Sequence, residues 1–125
     1  MKIFENENLE IYEHLGDGYE PTMYYGAWRV ALLNYTEKFD NITYLERHLG
    51  TDEVFVLLSG RAKLILGAEK QVVELERERI YNVRRGAWHA IKVTPDARVL
   101  IVENHDTCRE NSEYQDLEEP LKLTW

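Results

Sequence analysis

The side chains best able to do chemistry in this sequence sit on short runs whose residues alternate between two faces. In residues 42–49, one face carries Ile42, Tyr44, Glu46 and His48, and the other carries Thr43, Leu45, Arg47 and Leu49. In residues 87–93, one face carries Ala87, His89, Ile91 and Val93. Successive residues of a strand point to opposite sides, so Glu46 and His48 must look the same way. Carboxylate and imidazole groups that share a face with apolar neighbours are the pattern of a polar site set inside an apolar cavity. Such a cavity would take a small-molecule ligand. Arg47 falls on the opposite face and lies outside that site.

The elements that must position these groups are β-strands. Short β-like runs occupy Tyr24–Leu33, Ile42–Leu49, Val54–Leu58, Ala62–Leu66, Gln71–Leu75, Ile80–Val83, Trp88–Val93 and Arg98–Glu103. Turn residues separate them at close spacing, which is the signature of a sandwich or barrel. Ser59-Gly60 and Gly67-Ala68-Glu69-Lys70 provide the backbone freedom that hairpins need, and Pro95-Asp96 marks a further turn. Glu74–Arg79 could form a helical turn on charge alone, but its neighbours are β-rich. Val54–Leu58 reads as a strand buried on both faces. The final stretch, Asn104–Trp125, reads as an acidic, irregular tail with an apolar end, laid across the sheet surface or across a partner subunit. The chain is therefore expected to be one all-β domain over residues 1–125, with a core barrel over about 22–103 and a tail over 104–125.

The stretch from Glu46 to Gly60 resembles the first motif of the cupin superfamily, G-x5-H-x-H-x3–4-E-x6-G. His48 stands at the second histidine, Glu53 at the glutamate and Gly60 at the closing glycine. Gly86-Ala87-Trp88-His89 is similar to the second motif, G-x5-P-x-G-x2-H-x3-N. The departures are Asp40 and Glu78 for the leading glycines, Arg84 for proline, Val93 for asparagine, and Glu46 for the first histidine. The resemblance implies a double-stranded β-helix, or jelly roll, closed into a small barrel. In cupins that bind metal, the residues at these positions coordinate a divalent ion. Carried over, the candidate ligands are Glu46, His48, Glu53 and His89, all of types that bind first-row metals. Two carboxylates with two imidazoles would suit iron, manganese, nickel, cobalt or zinc, and would neutralise a divalent ion. Without an ion, the crowded carboxylates would raise a carboxyl pKa or protonate a neighbouring histidine, and a histidine could still act as base. The resemblance thus implies a metal-dependent enzyme acting on a small polar organic substrate. A metal-free sugar isomerase or epimerase and a non-catalytic sensor domain stand as the alternatives.

Other reactive residues have plainer roles. His14 and His105 read as surface residues, and Cys108 lies in a polar loop with no base to activate it. Trp28, Tyr44, Phe55 and Trp88 read as packing groups, and Arg29, Arg84 and Arg85 as solvated strand edges. Of the 125 residues, 15 are Lys or Arg and 23 are Asp or Glu, giving a net charge of −8. That sign repels phosphate backbones and anionic lipid, so neither nucleic acid nor membrane is an expected partner. A single cysteine and a polar, acidic N-terminus without an apolar leader point to the cytoplasm. Edge strands left open by so small a barrel point to a homodimer, with Ile3-Phe4 and the tail as contributors.

Overall fold

Twelve short strands and two single-turn 3-10 helices make up the regular structure of the computed structural model, which describes residues 1–125. The strands are β1 (Lys2–Glu5), β2 (Glu10–Tyr12), β3 (Tyr19–Tyr25), β4 (Trp28–Asn34), β5 (Tyr44–His48), β6 (Glu53–Ser59), β7 (Ala62–Leu66), β8 (Gln71–Glu74), β9 (Tyr81–Val83), β10 (His89–Val93), β11 (Arg98–Asn104) and β12 (Ser112–Asp116). They form two five-stranded sheets, β12-β5-β10-β7-β8 and β3-β4-β11-β6-β9, and a separate β1-β2 hairpin. Every pairing is antiparallel. Two such sheets facing one another around a common interior are a jelly roll, the all-β architecture anticipated above. No helix is long and apolar enough to cross a membrane.

The alternation read in the sequence determines what fills the interior. Leu33, Phe55, Leu57, Leu64, Val93, Val99 and Ile101 meet between the sheets as one buried cluster. A second cluster lies on the outer face of the β5-bearing sheet, where Ile42, Leu45 and Ile65 are covered by Leu117, Leu121 and Leu123 of the C-terminal segment. That segment is stitched down by backbone bonds from Leu117 to Thr43 (2.9 Å) and from Leu121 to Ile42 (3.0 Å). The indole of Trp125 lies beneath Arg61, Lys63 and Lys92, each within 5.2 Å of the ring centroid. Cation–π contacts therefore hold its end.

Three local expectations are corrected. Tyr24–Leu33 is not one strand but two, turned at Gly26 with φ +56°. Residues 112–116 are not irregular: β12 pairs along β5 as an edge strand, and β3 likewise begins ahead of residue 22. The polar sequence Ser-Glu-Tyr-Gln-Asp carries no apolar alternation because its outer side faces solvent. The Val54–Leu58 run is buried on one face only, with Leu57 at 4% exposure and Leu58 at 46%. At Glu78, where the resemblance places glycine, the backbone keeps a glycine-like φ of +69° and forces a side chain to adopt it.

Candidate metal centre

Four strand ends deliver the site. Glu46 and His48 project from β5, Glu53 opens β6, His89 opens β10, and Glu103 sits near the end of β11. Antiparallel register places His89 opposite Glu46, and the shared period of two turns both side chains inward. His48, Glu53, His89 and Glu103 are all buried, whereas the Glu46 side chain is one-third exposed. All five line a cavity of about 370 Å³ between the sheets. Its apolar wall includes Leu33, Phe55, Ile91 and Ile101, and its rim carries Lys38, Tyr44, Cys108, Arg109 and Tyr114.

The centre of the cluster is Glu53 Oε1, which lies 2.9 Å from His89 Nε2 and 3.2 Å from His48 Nε2. Glu46 Oε1 is 3.9 Å from both Nε2 atoms. The second ring nitrogens are already engaged. His89 Nδ1 lies 3.0 Å from the Ala87 carbonyl, which can only accept, so Nδ1 carries a proton. In neutral His89 the Nε2 lone pair therefore faces the cluster. His48 Nδ1 meets the Ser112 hydroxyl at 2.8 Å, across the register pair that joins β5 and β12. Ring nitrogens fixed from behind and bare in front are how histidine ligands are oriented.

Three buried atoms facing this space have no hydrogen-bond partner: Glu53 Oε1, His89 Nε2 and Glu103 Oε2. Glu53 Oε1 and His89 Nε2 meet at 2.9 Å without the alignment of a hydrogen bond. Buried polar atoms are almost always partnered, so convergent orphans leave a place among them for a cation, a proton or an ordered water. Glu46, His48 and His89 offer donor atoms within 4.8 Å of one another, and so do His48, Glu53 and Glu103. The cluster can hold a metal ion.

With no ion, protons take that role. Burial pulls the His48 and His89 pKa values down, but the adjacent Glu53 carboxylate outweighs it and both lie above the ordinary imidazole value. Burial pushes Glu53 up, and the two imidazoles more than reverse this, holding it below the usual carboxylate range. Both outcomes considered for crowded carboxylates are present: the two imidazoles are drawn toward their protonated form, and burial together with the neighbouring Glu53 raises the Glu103 carboxyl above its ordinary value.

Glu103 and its supports were missed by the sequence reading, and Arg29 was misread as a solvated edge. Arg29 is mostly buried and pairs with Glu103 Oε1 at 2.8 Å. It also donates to the carbonyls of His105 and Thr107, both at 3.2 Å, and the Tyr19 hydroxyl donates to Glu103 Oε1 at 2.7 Å. Arg47 points away from the cavity, pairs with Glu113 and covers the outer face of Trp88. His14 bonds the Gly18 carbonyl and His105 stacks on Tyr24, both outside the cluster. Arg84 and Arg85 are exposed.

No protein-family model matches the chain, and no curated protein matches it in sequence. Solved structures do match in shape. Streptomyces PAC13, solved with uridine, superposes with a TM-score of 0.65 at 10% identity, covering 88% of this chain and 92% of its own. PAC13 is described as a nucleoside dehydratase. A cupin-2 domain protein from Shewanella frigidimarina gives a TM-score of 0.58 at 17% identity, over 74% of this chain and 83% of the other. KdgF from a Halomonas species gives 0.56 at 11% identity, over 75% and 86%. At these identities the likeness concerns the fold.

Proposed function

Since this chain has the cupin fold, we propose that it is a divalent-metal-dependent enzyme acting on a small polar organic molecule inside the barrel. The observation that carries this reading is the convergence of the bare Glu53 Oε1 and His89 Nε2, beside His48 Nε2, at the buried end of an open cavity. Glu46, His48, Glu53 and His89 would hold the ion, which could be iron, manganese, nickel, cobalt or zinc. A bound ion would supply Lewis-acid or oxygen-binding chemistry. The chain's own groups supply the rest. Ala87 and Ser112 orient the imidazoles, and the apolar wall limits water around the reacting end. At the rim, the Lys38 and Arg109 cations lie within 5.6 Å of the Tyr44 and Tyr114 ring centroids. An anionic group on the substrate would find its counter-charges there.

The test is thermal unfolding of chelator-stripped protein with each of the five ions in turn. An ion present at about 100 times its Kd should stabilise the fold by about 2.7 kcal/mol. If no ion raises the midpoint, the site reverts to the imidazolium–carboxylate pairs described above, a metal-free acid–base pocket of the isomerase or epimerase kind.

The pH dependence has opposite signs in the two states. In stripped protein, the raised folded-state pKa values of His48 and His89 give stability fully present below about pH 6.5 and lost as pH rises through them. In loaded protein, imidazole must be neutral to bind, so metal is lost as pH falls through the same range. Unfolding midpoints measured from pH 5 to 9 with and without the ion should therefore slope in opposite directions. Parallel curves would exclude shared use of the histidines.

The reading also includes a homodimer. The C-terminal apolar residues cover this subunit's own sheet, which leaves the β1-β2 hairpin as the candidate contact. A lone two-stranded hairpin is marginal in water, and Ile3, Phe4, Leu9 and Ile11 are exposed on this one. A second copy would give them a partner. Light scattering at micromolar concentration should return twice the single-chain mass, falling to one on Ile3→Asp with Phe4→Asp. A wild-type mass of one chain would refute the dimer.

A further inference from the structure

We infer that Glu103 is a further ligand of the proposed cation, joining His48 and Glu53, whose donor atoms lie nearest it. This rests on the metal reading above and extends it to a residue outside both motifs.

Glu103 is 5% exposed, and its two carboxylate oxygens have different surroundings. Oε1 is fully engaged, accepting from the Tyr19 hydroxyl at 2.7 Å and from Arg29 at 2.8 Å. Arg29 is itself held by the His105 and Thr107 carbonyls, so this clamp is rigid on both sides. Oε2 is buried, has no partner, and lies 3.9 Å from His48 Nε2. Its donor atom falls within 4.8 Å of those of His48 and Glu53. A carboxylate tethered through one oxygen, with the other bare before imidazole donors, is arranged as a monodentate ligand with its outer-shell supports in place.

The alternative is a purely structural Arg29–Glu103 ion pair. That pair explains Oε1 and leaves Oε2 unexplained. A second carboxylate beside buried Glu53 adds like-charge repulsion, which a cation between the two would relieve directly. Glu46, Glu53 and Glu103 bring three carboxylates to this end of the cavity, where Arg29 is the only Lys or Arg ion-paired with any of them, and a divalent ion would offset two of those charges.

The experiment is calorimetric titration of chelator-stripped protein with manganese(II) chloride and, separately, zinc(II) chloride. Glu103→Gln preserves volume, and its carbonyl can still accept from Tyr19 and Arg29, but its amide nitrogen is no ligand. The manganese Kd should rise about 10-fold or more. The zinc Kd should rise less, because manganese depends more on oxygen donors. The metal-free variant should unfold within a few degrees of stripped wild type. An unchanged manganese Kd would overturn the inference while leaving the four-residue site intact. Failure of the wild type to bind either ion would instead overturn the parent reading. If Glu103→Gln does not fold, Glu103→Asp decides: it keeps the charge for Arg29 but withdraws the second oxygen from the cluster, so the manganese Kd should rise about 10-fold or more, and an unchanged Kd would overturn the assignment.

Discussion

Replacing His48 and His89 together by glutamine should abolish binding of the proposed ion and leave the barrel standing. Both rings present Nε2 to Glu53, and both are oriented by groups behind them, so their removal deletes the nitrogen donors of the cluster. The expected loss of affinity exceeds about 100-fold, the upper end of what disturbing an outer-shell partner alone costs. Glutamine is preferable to alanine because Glu53 is buried. A carboxylate stranded without a cation or donor costs several kcal/mol, whereas a glutamine amide can donate to it. Leu57→Ala should show the reverse pattern. Leu57 lies in the inter-sheet core at 4% exposure, and truncating such a residue costs about 2–5 kcal/mol with the ligands untouched. Val56 on the half-exposed face should cost less. Metal content and unfolding midpoint, measured on both variants, separate site from scaffold. A glutamine variant that retains the ion, or that unfolds in its metal-free form as readily as Leu57→Ala, would make the histidines structural.

Gly60→Ala should be the most damaging single methyl added to this chain. Gly60 closes the β6–β7 turn at φ +70°, and a Cβ built there would lie 2.5 Å from Ala97 Cα and 2.6 Å from Ala97 N. Those are backbone atoms of the facing turn, which is itself held by the Ala97–Thr94 backbone bond (2.9 Å) and by Ser59 donating to the Asp96 carbonyl (3.2 Å). Neither side can yield without breaking one of these. The left-handed backbone costs alanine about 1–2 kcal/mol and the overpacking about 1–3 kcal/mol more. Against a domain stability of roughly 5–15 kcal/mol, the unfolding midpoint should fall by on the order of 10 °C or more. Gly67→Ala is the control, since its φ is +76° but nothing lies within 4 Å of the added methyl. Equal losses at the two positions would show that the clash is relieved and only backbone strain matters.

The parts of the site that were legible in the sequence are those written in local periodicity. Glu46 and His48, two apart on a strand flanked by apolar residues, could face only one side, and the structure turns them into the cavity. Glu53 and His89 were reachable because their spacing echoed a known pattern. Glu103 carried a weaker signal, as the charged end of the apolar series Val99, Ile101, Glu103, but no motif marks that strand. Tyr19 and Arg29 were obscured by an unrecognised turn. With residues 24–33 taken as one strand, the hairpin at Gly26 vanished, and with it the register that sets Arg29 beside Glu103. Ser112 and its strand had no apolar alternation to reveal them, because an edge strand with a solvent-facing side needs none. Such pairings are decided by which backbone is left unpartnered, a tertiary matter that composition does not encode.

The most direct measurement is the metal content of untagged protein purified without added chelator, by elemental analysis against protein concentration. One equivalent of a first-row divalent metal per chain is the result expected of the Glu46, His48, Glu53 and His89 cluster, falling to background in the His48→Gln, His89→Gln protein. No stoichiometric metal in the wild type, even after incubation with iron(II), manganese(II), cobalt(II), nickel(II) or zinc(II) and desalting, would contradict a metal centre in this barrel.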